Sequence, residues 1–138
     1  MQRIYSKIQP ATLLHLVFRL DEVSGRTNIA PENEFLQLAG IKMDKGQTFK
    51  AHKHILHEKT TNIAQESWLV IQGQVQCTFY DLDDTMIAQP VLNPGDGSMT
   101  FRGGHNYLIL EDDTIVYEYK TGPYLGQQLD KVFIGDSK

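Results

Sequence analysis

The sequence predicts an all-β chain folded as a sandwich or small barrel. Short apolar or alternating runs recur along it, each bounded by Gly, Pro, Asn or Asp. No stretch keeps a helical period long enough for a long helix. At 138 residues and 41% apolar content, the chain is long enough for one domain with a real core. Residues 1–138 are therefore read as a single domain, with the barrel core at about 34–124 and no linker, repeat or low-complexity tract.

The elements follow in order. The stretches Ile4–Ile8 and Thr12–Leu20 are strand-like. Asp21–Asn33 is polar, contains Gly25 and Pro31, and reads as a long loop, with room for a short helix near this end of the chain. Glu34–Met43 alternates well enough for a strand, and Asp44-Lys45-Gly46 is a turn. Phe49–Leu56 is the next expected strand, followed by a polar loop from His57 to Gln65. Glu66–Ile71 and Val75–Leu82 are expected to form a hairpin about Gln72-Gly73-Gln74. Asp83-Asp84 turns the chain into Met86–Leu92, and Asn93-Pro94-Gly95-Asp96 is a strong turn signal. Tyr107–Leu110 and Thr114–Lys120 are expected to pair as a last hairpin about Glu111-Asp112-Asp113.

Composition narrows the function. A net charge of −4 with no basic stripe argues against a nucleic-acid or membrane-surface binder. The single cysteine, Cys77, cannot form an internal disulfide, which suits a reducing, cytoplasmic setting. It lies in an alternating apolar run and reads as a buried small hydrophobe. No secretory signal and no bilayer-spanning stretch is seen. Serine-hydrolase elbows, Walker motifs and dinucleotide fingerprints are absent too.

The chemistry concentrates around His52-Lys53-His54-Ile55-Leu56-His57. On a strand, His52 and His54 point to one face, with Lys50 at the same parity. Such a polar set is costly inside a protein unless it is paired or bound. Glu66 opens a second expected strand and His105 precedes a later one. Three imidazoles and one carboxylate suit zinc, iron, manganese, nickel or cobalt, and ligand type alone does not choose among them. His57 has the opposite parity and enters the polar loop, so it and Glu58 are expected at the rim, with a proton-transfer role open to His57. Lys50, His57 and Tyr107 are the candidate ligand-binding residues, and no residue is singled out as catalytic. His15, among Leu13, Leu14, Leu16 and Val17, reads as structural. Trp68 shares the parity of Glu66, with core packing the favoured role.

Gly46-x5-His52-x-His54-x11-Glu66-x6-Gly73 resembles the first cupin motif, with a longer gap between His54 and Glu66. Pro94-Gly95-Asp96 and Gly103-Gly104-His105 resemble the second motif, which here lacks its proline and has Ile109 in place of its final asparagine. Arg26-Thr27-Asn28, Phe49-Lys50-Ala51-His52-Lys53-His54 and Tyr117–Tyr124 are similar to the WbuC-like group of cupin metalloproteins, over roughly residues 26–124. The resemblance implies a double-stranded β-helix (jelly-roll) barrel with a divalent metal at its mouth held by His52, His54, Glu66 and His105. It also implies a setting in bacterial surface polysaccharide synthesis. Three functions compete: a metal-dependent isomerase or epimerase of a sugar or sugar nucleotide, a non-heme iron dioxygenase, and a non-catalytic small-molecule-binding module. A homodimer is expected, with the N-terminal strand-like segment pairing at a sheet edge of the other copy.

Overall fold

A computed structural model describes residues 1–135. Its strands are β1 (Gln2–Tyr5), β2 (Leu13–Phe18), β3 (Arg26–Asn28), β4 (Ala39–Ile41), β5 (Glu66–Gln72), β6 (Val75–Tyr80), β7 (Met86–Ala88), β8 (Val91–Leu92), β9 (Gly97–Thr100), β10 (Gly104–Ile109) and β11 (Ile115–Lys120). A 3-10 turn at Leu20–Glu22 and one short helix, α1 (Gln127–Asp130), complete the described elements. No helix of the described residues is long and apolar enough to cross a membrane.

The larger sheet has five antiparallel strands in the order β1-β2-β9-β5-β11. The smaller runs β10-β6-β7, with β8 also on β6, and β3 pairs β4 apart from both. The two sheets face each other across Ile4, Val17 and Val70 of the larger and Val75, Cys77, Phe79 and Leu92 of the smaller and its β8. The opposite face of the larger sheet is also covered. Leu16, Phe18, Leu69, Met99 and Phe101 pack there under Ile29, Ala30, Leu36 and Leu38 from the 29–38 segment. Double coverage explains why β2 and β9 are buried almost throughout instead of alternating, as expected of a strand with no solvent face.

The structure corrects several expectations. Neither predicted hairpin forms. β5 pairs β9 and β11, and β6 pairs β10, β7 and β8, so Gln72-Gly73-Gln74 carries the chain from one sheet to the other. Glu111–Asp113 does the same between β10 and β11. A tight turn between alternating runs signals reversal of direction, and a chain crossing a sandwich reverses direction just as a hairpin does. The expected strand Phe49–Leu56 is absent: residues 47–60 are irregular and exposed. Its two would-be faces read Lys50-His52-His54-Leu56 and Phe49-Ala51-Lys53-Ile55, so neither is apolar enough to reward burial on its own. Glu34–Met43 shrinks to β4. The strand β9 went unpredicted because Gly97-Ser98-Met99-Thr100 is short, small and weakly apolar. The N-terminal segment forms β1, which pairs β2 of its own chain and has no strand on its outer edge among the described residues. Among the described residues the sheets do not close into a barrel, since β10 and β11 are both edge strands.

Candidate functional site

Glu66 and His105 meet at one end of the sandwich. Glu66 begins β5 in the larger sheet, and His105 is the second residue of β10 in the smaller. His105 Nε2 lies 3.1 Å from Glu66 Oε1, and Trp68 Nε1–H donates to the same oxygen at 3.0 Å. Trp68 also reaches Glu118 Oε2 at 3.3 Å. Its ring stacks on Tyr107, centroids 3.8 Å apart and planes 11° from parallel. Tyr107 in turn contacts Ser98 Oγ at 3.4 Å.

The registers explain this convergence. In an antiparallel ladder, directly opposed residues project from the same face. Glu66 opposes Thr100 of β9 and Lys120 of β11, while Trp68 opposes Ser98 and Glu118. The face of β5 that holds Glu66 and Trp68 is also the face that reaches Val70 in the inner core. The result is a polar end on an apolar sandwich.

The electrostatics follow from burial and neighbours. Burial alone would raise the Glu66 carboxyl, but the His105 hydrogen bond, the His105 charge and the nearby Lys131 and Lys120 outweigh it and hold the group below the usual glutamate range. Burial pushes the Tyr107 hydroxyl well above the ordinary tyrosine value, so it keeps its proton. His105 Nδ1 is buried with no hydrogen-bond partner among the described residues. An imidazole left with one unsatisfied nitrogen is costly in a native interior.

Of the four residues expected to hold metal, the structure brings together Glu66 and His105 only. His52 and His54 lie on the exposed 47–60 segment, their rings edge to face at 5.6 Å, with His52 Nδ1 2.9 Å from the Lys50 carbonyl. Lys50 and His57, expected to touch a ligand, share that exposed segment. Among the described residues no three His, Cys, Asp or Glu side chains are grouped closely enough to hold a metal ion. The donor types nonetheless fit a divalent ion: Glu66 and His105 supply a carboxylate and an imidazole, and His52 and His54 are two free-standing imidazoles.

Sequence reasoning passed over Lys120, Glu118, Ser98 and Thr100. Their placement depends on register across β5, β9 and β11, which no local pattern carries. Trp68 turns out to serve both packing and site, since its ring stacks while its N–H holds the carboxylate. His15 is structural as read: its Nε2 faces the Tyr80 carbonyl and its Nδ1 faces Thr100 Oγ1, both at 3.0 Å, and the ring stacks on Phe79.

Fold and site together define an antiparallel β protein with two facing sheets, a small third sheet and a carboxylate–imidazole pair at one end. Compared with protein families, with curated proteins and with solved structures, the chain matches none.

Proposed function

We propose that the chain is a cupin-type double-stranded β-helix (jelly roll) that holds a divalent metal ion and acts on a sugar or sugar nucleotide. The reaction would be an isomerisation or epimerisation in bacterial surface polysaccharide synthesis, in the cytoplasm. One observation carries this reading: a carboxylate from one sheet and an imidazole from the other meet at 3.1 Å at one end of the sandwich. Two others support it. The chain alternates between the two sheets at 72–74 and 111–113, as a jelly roll requires. β10 is an edge strand among the described residues, so its outer ladder is free to take the segment that carries His52 and His54.

In this reading His52, His54, Glu66 and His105 hold zinc, iron, manganese or nickel, and the ion supplies Lewis acidity toward a carbonyl or a pair of hydroxyls. The chain's own residues do the rest. Glu66 stays ionised at neutral pH and orients the His105 ring. Tyr107 keeps its proton and offers an O–H. The Trp68–Tyr107 stack supplies a flat apolar wall suited to a sugar face. Lys50 and His57 contact the ligand from the rim.

Elemental analysis of the purified protein, with assays on sugar phosphates and nucleotide sugars, tests the reading. Near-stoichiometric divalent metal is expected, largely lost in His52→Ala and Glu66→Gln. A metal-free protein whose His52→Ala variant takes up added zinc or nickel as well as the parent does would end it.

A further inference from the structure

The Glu66–His105 end carries a cation that no motif singles out. Lys120 stands opposite Glu66 in the β5–β11 ladder. Its Nζ lies 3.4 Å from Asp130 Oδ2, 3.8 Å from Glu118 Oε1 and 4.2 Å from the centre of the Tyr124 ring. The two partners are well shielded, with the Lys120 side chain 22% exposed and that of Asp130 16%. Asp130 is the last residue of α1, and the chain beyond it stays at this end of the molecule. Lys131 bears electrostatically on Glu66, and Ile134 packs so closely on Gly104, the residue before His105, that a Cβ there would run into it. The 124–134 segment therefore passes beside the mouth of the site.

That segment is attached by little. Leu125, Leu129 and Val132 are 70%, 77% and 85% exposed, and α1 buries no residue. A stretch that leaves its apolar side chains in water opens at low cost. Its contacts with the body include one carboxylate set on one ammonium, which is the contact that an anionic ligand group would make in its place. Glu118, a second carboxylate beside Lys120, also accepts from Trp68, and Glu66, opposite in the ladder, already pairs with His105, so withdrawal of Asp130 leaves the ammonium only with partners already shared.

We propose that Lys120 is an anion subsite of the Glu66–His105 site, built for a phosphate group of the ligand, and that Asp130 is its internal occupant, displaced when ligand binds. The subsite rests on the reading above in extending the ligand to a phosphorylated sugar or nucleotide sugar. The displacement exchanges one ion pair for another and frees the 126–131 segment from the mouth.

The test uses full-length protein stripped of metal with a chelator and titrated with inorganic pyrophosphate. Trp68, the single tryptophan, hydrogen-bonds Glu66 and Glu118 and serves as the fluorescent reporter. Asp130→Asn should bind pyrophosphate at least five-fold more tightly than the parent. Lys120→Gln should bind at least ten-fold more weakly, and Lys120→Arg should recover most of the loss, which separates charge from damage to the fold. In the parent, pyrophosphate should speed hydrogen exchange at 126–131. If Asp130→Asn binds no more tightly, or Lys120→Gln no more weakly, the subsite is wrong. Slower exchange at 126–131 would overturn the displacement. Because metal is absent throughout, a negative result leaves the metal reading standing, and a protein without metal affinity can still pass this test.

Discussion

At the scale of single residues, His15 is fully buried and held at both ring nitrogens. The Tyr80 carbonyl can only accept, so His15 Nε2 carries the proton and Nδ1 accepts from the Thr100 hydroxyl. Both nitrogens are satisfied by the neutral ring, and burial pushes the group down from 6.5 to about 4, against the opposing pull of the Tyr80 carbonyl. The sign of the linkage follows. Above pH 6.5 both folded and unfolded chains hold a neutral ring, so the shift costs nothing. As pH falls from 6.5 toward 4, the unfolded chain gains a proton that the folded chain refuses, and stability drops by about 3 kcal/mol. Urea denaturation at several pH values should show this loss, and His15→Gln should be less stable at pH 7 but flatter below it. Equal slopes in parent and variant would refute the assignment. Cys77 is the quieter case. Burial pushes its thiol up to about 11, as suits the small hydrophobe its alternating run suggested.

At the scale of elements, the turn chemistry was legible but the pairing it serves was not. Gly73 has φ +77°, and a Cβ on it would run into Thr114 at the foot of β11. Gly46 has φ +89° with open space around it. Gly46→Ala should therefore cost about 1 kcal/mol or less of backbone strain. Gly73→Ala adds overpacking to the same strain and should cost roughly 1–3 kcal/mol more, read as the difference in urea midpoint. Similar losses for the two variants would mean that the contact with Thr114 carries no weight. The same contrast explains what the sequence concealed. The run 75–80 declares itself through alternation, and 13–18 and 66–72 through their apolar, β-branched or aromatic content. Whether Val75 pairs with Gln72's strand or with Ile109 depends on atoms dozens of residues away. In the structure Val75 opposes Ile109, and Lys120 opposes Glu66. The histidine pair shows the converse. Its spacing is plain in sequence, yet 47–60 buries nothing locally, so no packing of its own residues fixes it as a strand.

At the scale of the whole molecule, the outer edge of β1 is one of the two margins of the larger sheet, with Gln2, Arg3 and Tyr5 exposed along it. Such an edge invites a second copy, antiparallel across a two-fold axis. Light scattering on the eluting protein should give twice the 15.7 kDa chain mass, with Arg3→Pro, which removes a backbone donor from the exposed edge of β1 and leaves the core residue Ile4 in place, shifting it toward the monomer. A parent that elutes at the single-chain mass would dismiss the dimer. The β1–β2 hairpin has a further consequence, in time instead of space. β2 lies between β1 and β9, and the ladder on its far side joins His15 to Thr100, 85 residues later. During synthesis the hairpin is complete almost at once, but its second ladder stays bare for several seconds at ordinary elongation rates. For that interval the nascent chain displays Leu14, Leu16 and Phe18 on an unfinished edge. How long that apolar edge stays uncovered during synthesis is thus set by the distance between the second strand and the ninth.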